Sequence, residues 1–189
     1  MAIRAFIAIE IPEEIKEELG RLQARLRAAE VKVRWVNHHN IHLTTKFLGD
    51  VNDSDVPKIC EVVKRAADGT PAFELDVAGL GTFPPKGPPH IIWVGLRGGV
   101  ETLARFVEEV EEGLADEVGI RPERRKYHPH LTLGRVKSTR NTDRLRALMT
   151  EGEPAEFGTF SAESVTLFMS ELTSEGAIHT PMAEMKFEA

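Results

Sequence analysis

The stretch I-H-L-T-T-K-F-L-G at residues 41–49 is echoed by H-P-H-L-T-L-G-R at residues 128–135. In both, a histidine and a threonine alternate with leucine: His42-Leu43-Thr44 and His130-Leu131-Thr132. Such alternation predicts a β-strand with one buried face. Successive side chains of a strand point to opposite faces, so each histidine shares a face with its threonine and the leucines share the other. Imidazole and hydroxyl then stand about 7 Å apart on a strand held still by its buried side. One such pair is weak evidence of a site. Two of them, 88 positions apart in a chain of 189 residues, constrain the fold far more.

That spacing predicts an internal repeat. The first unit reads as an apolar strand at 3–9, a helix at 12–26, the His42 strand, a helix at 53–67 and a strand at 72–80. The second reads as an apolar strand at 90–96, a helix at 100–118, the His130 strand, a helix at 142–150 and strands after Pro154. The last of these are expected as a hairpin-like pair, 157–172 and 177–187, turning near Ser174-Glu175-Gly176. A short strand at 31–36 carries Arg34 and Trp35, and the proline-rich stretch 81–90 reads as a loop, a lid or cleft wall. The expected architecture is α+β, one domain of two intimate pseudo-symmetric lobes, roughly 3–80 and 90–187. Each lobe is a mostly antiparallel sheet backed by helices, and the two His/Thr pairs meet at a central cleft.

Composition narrows the class. Hydrophobic content of 41% and charged content of 29% are those of an ordinary globular chain. No run approaches the roughly 20 apolar residues of a membrane helix, and the short apolar N-terminus leads straight into a Pro12-initiated helix, so it reads as a strand. The single cysteine, Cys60, excludes an intrachain disulfide, fits a reducing cytoplasmic setting and reads as a structural thiol on an apolar helix face. The net charge of −6 argues against a general nucleic-acid binder. Yet residues 121–140 hold seven cations (Arg121, Arg124, Arg125, Lys126, Arg135, Lys137 and Arg140) against Glu123 alone. A solvated loop would explain that cluster by itself; around His130 it favours an anionic ligand gripped locally.

The paired motifs suit acid–base chemistry on phosphorus. An imidazole with an ordinary pKa near 6.5 can take or give a proton near neutral pH. Two opposed histidines supply a base on one side of a phosphorus and an acid on the other, while threonine hydroxyls and local cations hold its oxygens. No metal or cofactor is required. The other five histidines, His38, His39, His90, His128 and His179, read as surface or loop residues. His128-Pro129-His130 with His42 or His39 would be the start of a metal site, but no H-E-x-x-H or paired C-x-x-C motif accompanies it. A metal-dependent phosphohydrolase and a non-catalytic nucleotide or RNA-end binder stand as alternatives.

Paired H-x-T-x motifs, with the opening R-A-F-I-A-I-E-I-P, the run I-H-L-T-T-K-F-L-G-D and the run H-P-H-L-T-L-G-R, resemble the two-histidine (2H) phosphoesterase superfamily over nearly the whole chain. They look like its RNA 2′,3′-cyclic phosphodiesterase branch, also called 2′-5′ RNA ligase. The resemblance implies metal-free hydrolysis of a terminal 2′,3′-cyclic phosphate to a 2′-phosphomonoester, and reversible 2′-5′ joining without ATP. It implies His42 as proton donor, His130 as proton acceptor, and Thr44 and Thr132 on the phosphate oxygens. It also implies a basic or aromatic residue five positions after each histidine, here Phe47 and Arg135. Strict alternation would turn both away from the histidines, unless a bulge near Gly134 brings Arg135 back. Lys46 and Tyr127 are further substrate-binding candidates; Tyr127 and Trp35 read equally as base-stacking or core aromatics. Thr45 departs from the bulky apolar residue usual there and is expected to face inward. The implied partner is RNA ending in a cyclic phosphate, tRNA fragments among the candidates, acted on by a monomer.

Overall fold

The computed structural model describes residues 2–151, 155–174 and 176–189. Nine strands and four α-helices alternate along them as β1 (Ala2–Ile9), α1 (Glu13–Leu26), β2 (Val33–Trp35), β3 (Leu43–Asn52), α2 (Val56–Asp68), β4 (Phe73–Phe83), β5 (Ile91–Gly98), α3 (Val100–Glu117), β6 (His130–Val136), α4 (Thr142–Thr150), β7 (Glu156–Ala162), β8 (Ser164–Thr173) and β9 (Gly176–Lys186). The helices follow their sequence logic. Ile15, Leu19, Leu22 and Leu26 recur at helical spacing on α1 and are all buried. Leu103, Phe106, Val107, Val110 and Leu114 do the same on α3, leaving all its acidic residues but Glu111 toward water. Pro57 sits in the first turn of α2, where its missing N–H is not needed.

The architecture is α+β, with two antiparallel sheets. One has the order β3-β1-β8-β9, the other β2-β6-β5-β4-β7. Each sheet draws on both halves of the chain. The His42 strand β3 pairs with β1 of its own half, and β1 then pairs with β8 from the other half. The His130 strand β6 pairs with β5, and β5 then pairs with β4 from the first half. The expected long strand 157–172 is therefore two strands, parted at Glu163, that belong to different sheets: β7 pairs with β4 and β8 with β1. Only β8 and β9 form the expected hairpin, and of its turn Glu175 lies outside the described residues. The proline-rich loop is shorter than expected, because β4 continues to Phe83. Its carbonyls at Pro85 and Gly87 accept bonds from Arg146 of α4 at 3.4 and 2.6 Å, so it is fastened to the body and does not stand free as a lid. No helix among the described residues is long and apolar enough to cross a membrane.

One main core joins both sheets to the helices, and a small second cluster of Phe6, Ala8 and Phe168 lies on the other face of the first sheet. The first sheet is tied by side chains to α3 and to the loop that precedes β6. Lys46 of β3, 3% exposed, reaches Glu111 of α3 at 2.8 Å and the Arg121 carbonyl at 3.1 Å. Glu111 also accepts the Glu123 N–H at 3.1 Å, and the Tyr127 hydroxyl donates to the Thr44 carbonyl at 3.0 Å. The basic loop leading to His130 is thus strapped at both ends to the His42 strand.

A buried cation deprived of its partner costs far more than an exposed one. Glu111→Ala is expected to lower stability by about 3–5 kcal/mol, read as a fall in Tm of roughly 10 °C. Glu117→Ala, which removes the surface partner of Arg65, should change Tm little.

Candidate active site

The two histidine strands share one irregularity. Against β1, β3 skips a residue between Thr44 and Lys46, so Thr45 is extra. Against β5, β6 skips a residue between Thr132 and Gly134, so Leu133 is extra. Each bulge lies three positions after its histidine. Residues 43–47 and 131–135 then run buried, half-buried, buried, buried, exposed in the same order. The two adjacent buried residues mark the point where alternation breaks. Both bulges are secured by side chains. Thr45, facing inward as expected, donates its hydroxyl to the Ile7 carbonyl at 3.1 Å. The Leu133 carbonyl accepts from Val36 N–H at 2.9 Å and from the buried Gln23 amide at 2.9 Å.

The consequence is that Phe47 and Arg135 return to the histidine faces. Phe47 is 60% exposed and its ring lies 6.3 Å from Phe6, on which His42 stacks at 4.7 Å. Arg135 is exposed and close enough for its charge to disfavour protonation of His130. The bulge that does this sits at Leu133, beside the expected Gly134. Lys46 goes the other way. The Thr45 bulge turns it inward to Glu111, away from the histidine face where the expected substrate contact would be made. Tyr127 packs against the core with its hydroxyl on Thr44, and burial pushes that hydroxyl's pKa up. Trp35 also packs against the core, with the Arg27 guanidinium 5.1 Å over its ring.

The histidines are held alike. His42 Nδ1 lies 2.7 Å from the Asn40 carbonyl, and His130 Nδ1 lies 2.6 Å from the His128 carbonyl. A carbonyl only accepts, so each Nδ1 carries the hydrogen and each Nε2 is left with a free lone pair. Neither the Thr44 nor the Thr132 hydroxyl has a partner among the described residues. Burial lowers the pKa of His42 to about 4, the bond to Asn40 opposes this, and the charges of His179 and Lys16 add to the depression. Burial also lowers His130, opposed by its bond to His128 and assisted by the charges of His128 and Arg135.

Around each histidine stands an aromatic wall that alternation alone does not reveal. Phe6 stacks on Phe168 at 5.2 Å, and His179 meets His42 edge-on at 5.3 Å. His179 is therefore a half-buried strand residue beside His42, where a surface position was expected; burial lowers its pKa and Glu10 opposes this. Opposite, Phe83 lies 5.0 Å from His130 and 5.2 Å from Trp93, and His128 lies 5.1 Å from Trp93. Trp93 can lie there because Gly81 faces it: a Cβ at that glycine would fall 2.2 Å from the indole. Among the described residues two buried polar side-chain atoms lack partners, Trp93 Nε1 and His179 Nδ1, one in each wall. Buried polar atoms are seldom left unpaired.

The chain matches the LigT-like phosphoesterase family twice, over residues 9–93 and 94–179. The RNA 2′,3′-cyclic phosphodiesterase of Methanothermobacter thermautotrophicus is 36% identical over 182 residues, covering 96% of this chain and 97% of that protein. A protein of the same description from Thermotoga maritima is 31% identical over 188 residues, covering 98% and 96%. Among solved structures, TT0787 of Thermus thermophilus superposes with a TM-score of 0.81 at 26% identity, covering 98% of both chains. E. coli LigT complexed with 3′-AMP has the same fold, with a TM-score of 0.81 at 24% identity over the full length of both.

The depressed histidines make stability pH-dependent. Unfolded histidines titrate near 6.5, so below that pH the unfolded chain binds protons that the folded chain refuses. Stability is expected to fall as pH drops from about 6.5 toward 4, with about 3 kcal/mol of the loss due to His42. Urea midpoints at pH 7 and pH 4.5 measure it, and His42→Gln should show the smaller drop. A bound anion reverses the electrostatics, because opposite charge favours the imidazolium. Inorganic phosphate should therefore raise the His42 titration, followed by NMR, by a unit or more.

Proposed function

The chain belongs to the LigT-like phosphoesterase family of the 2H phosphoesterase superfamily, and from that premise we propose that it hydrolyses the terminal 2′,3′-cyclic phosphate of RNA to a 2′-phosphomonoester. One observation carries this reading: two histidines on separate sheets, each with Nδ1–H bonded to the carbonyl two residues earlier and Nε2 free. Relatives described as RNA 2′,3′-cyclic phosphodiesterases support the substrate class.

The residues take these roles. His130 Nε2 removes a proton from water as its oxygen attacks phosphorus. The bond from phosphorus to the 3′ oxygen breaks, and His42 gives that oxygen its proton. The product carries a 2′-phosphate and a 3′ hydroxyl. Thr44 and Thr132 donate their free hydroxyls to the non-bridging oxygens, and Arg135 adds positive charge on the His130 side. His42, held neutral by burial in the free protein, takes up its proton when the phosphate's negative charge arrives. Phe47 and the exposed parts of the aromatic walls give bases a stacking surface that does not discriminate sequence. With a 5′ hydroxyl in place of water, the same arrangement joins RNA ends through a 2′-5′ linkage. The two His/Thr strands stand as equivalent parts of one domain.

The test is turnover of a short RNA bearing a 2′,3′-cyclic phosphate, in EDTA, with the product assigned by phosphorus NMR. Wild type is expected to yield a 2′-phosphate. His42→Ala and His130→Ala should each lower kcat/KM by about 10²–10⁴-fold without loss of Tm at pH 7. The pH–rate profile should be bell-shaped, since one histidine must be charged and the other neutral. Loss of activity in EDTA would turn the reading to a metal-dependent hydrolase, and binding without turnover to an RNA-end binding module.

A further inference from the structure

The register of β2 on β6 builds a second charged feature. Arg34 stands opposite Arg135, with Val33 opposite Val136 and Trp35 opposite Gly134. One step beyond the strand, Lys137 N–H donates to the Lys32 carbonyl at 2.7 Å, so these two lysines are also neighbours. Alternation sends Val33 and Trp35 to the core and the cations to the other face. Lys32, Arg34, Arg135 and Lys137 are all exposed and form a four-cation ladder.

Like charges directly opposite each other destabilise a sheet. Some exposed cations elsewhere are neutralised, Arg21 with Glu17 and Glu18, Lys64 with Asp68, Arg65 with Glu117 and Arg144 with Glu30. The four ladder cations have no ion pair or side-chain hydrogen bond among the described residues. Cations on an edge strand do guard against pairing with another chain. That explains β2, but β6 is an inner strand and its matching cations need another reason. The ladder also continues the face that bears His130 and Thr132: past the Leu133 bulge, the same side of β6 presents Arg135 and then Lys137.

We propose that this ladder holds the backbone phosphates of the RNA strand leading to the reacting end, so that the preferred substrate is an oligonucleotide. The inference rests on the RNA phosphodiesterase reading. Cations two residues apart along a strand are about 7 Å apart, which suits successive backbone phosphates, and guanidinium groups bind phosphate oxygens through two bonds.

The experiment compares a mononucleoside 2′,3′-cyclic phosphate with a ten-nucleotide RNA ending in the same group, for wild type and for the double variant Lys32→Ser, Arg34→Ser. Anisotropy of the labelled RNA is followed across salt concentrations alongside turnover. Wild type should favour the RNA at low salt. The variant should lose about tenfold in RNA kcat/KM at low salt, and its salt slope should flatten by about 1.4, or 0.7 per lost phosphate contact. Its turnover of the mononucleoside should not change, and its Tm should hold or rise as like charges are relieved. Lys32→Arg with Arg34→Lys should behave as wild type. Equal loss on both substrates, or an unchanged RNA salt slope, would overturn the ladder's role. Absence of turnover with the difference in RNA binding intact would instead overturn the hydrolase reading and leave the ladder standing.

Discussion

Everything at the site depends on the extra residue three positions after each histidine. A regular strand would place residue +5 on the face opposite the histidine. The bulges at Thr45 and Leu133 shift the count by one, so Phe47 and Arg135 join His42 and His130. The same shift sends Lys46 into the interior, where it meets Glu111 and anchors the loop that delivers His130. A bulge leaves backbone groups out of the ladder, and these must find partners if buried. Gln23 does that work at Leu133 from a helix 110 residues away in sequence. Thus a helix, a bulge and an arginine on the His130 face form one unit, although nothing in the local sequence joins them.

The exchange of strands between sheets fixes the two histidines relative to each other. Were each sheet built from one half of the chain, the halves would meet across an ordinary interface and could rock. Here β4 extends the sheet of β5 and β6, while β8 extends that of β1 and β3. Separating the halves of the chain would break four antiparallel ladders, β1 with β8, β2 with β6, and β4 with both β5 and β7, as well as the Lys46 and Tyr127 straps. Acid–base chemistry needs proton donor and acceptor within about half an ångström of their working positions, and a shared ladder supplies that better than a hinge.

The sequence made the elements legible where periodicity was strong. The faces of α1 and α3, the limits of α4 and the pairing of histidine with threonine all follow from spacing alone. It did not reveal partners. Residues 157–172 read as one strand because apolar and polar residues continue through Glu163, and only tertiary pairing shows that the chain changes sheet there. Lys46 reads from the sequence as a substrate cation because the bulge that turns it inward has no local signature beyond the unusual Thr45. Phe6 and Phe168 were hidden in strands apolar on both faces. His179 looked like a surface residue because nothing near it in sequence reports that β9 passes beside His42.

The two walls are built alike and charged differently. Each presents an imidazole against aromatic rings, with a second histidine beside it. On the His42 side the neighbours are His179 and the more distant Lys16, and burial dominates. On the His130 side an exposed arginine and the cations beyond it stand along β6. The basic segment of the sequence is therefore divided by the fold: one part is strapped to β3 beside Thr44, the other runs outward from His130. A symmetric frame thus bears an asymmetric charge. Under the proposed function, an RNA end would meet a buried imidazole, neutral in the free protein, on one side and a cationic strand on the other, so that charge would set the way the chain lies before any base is read.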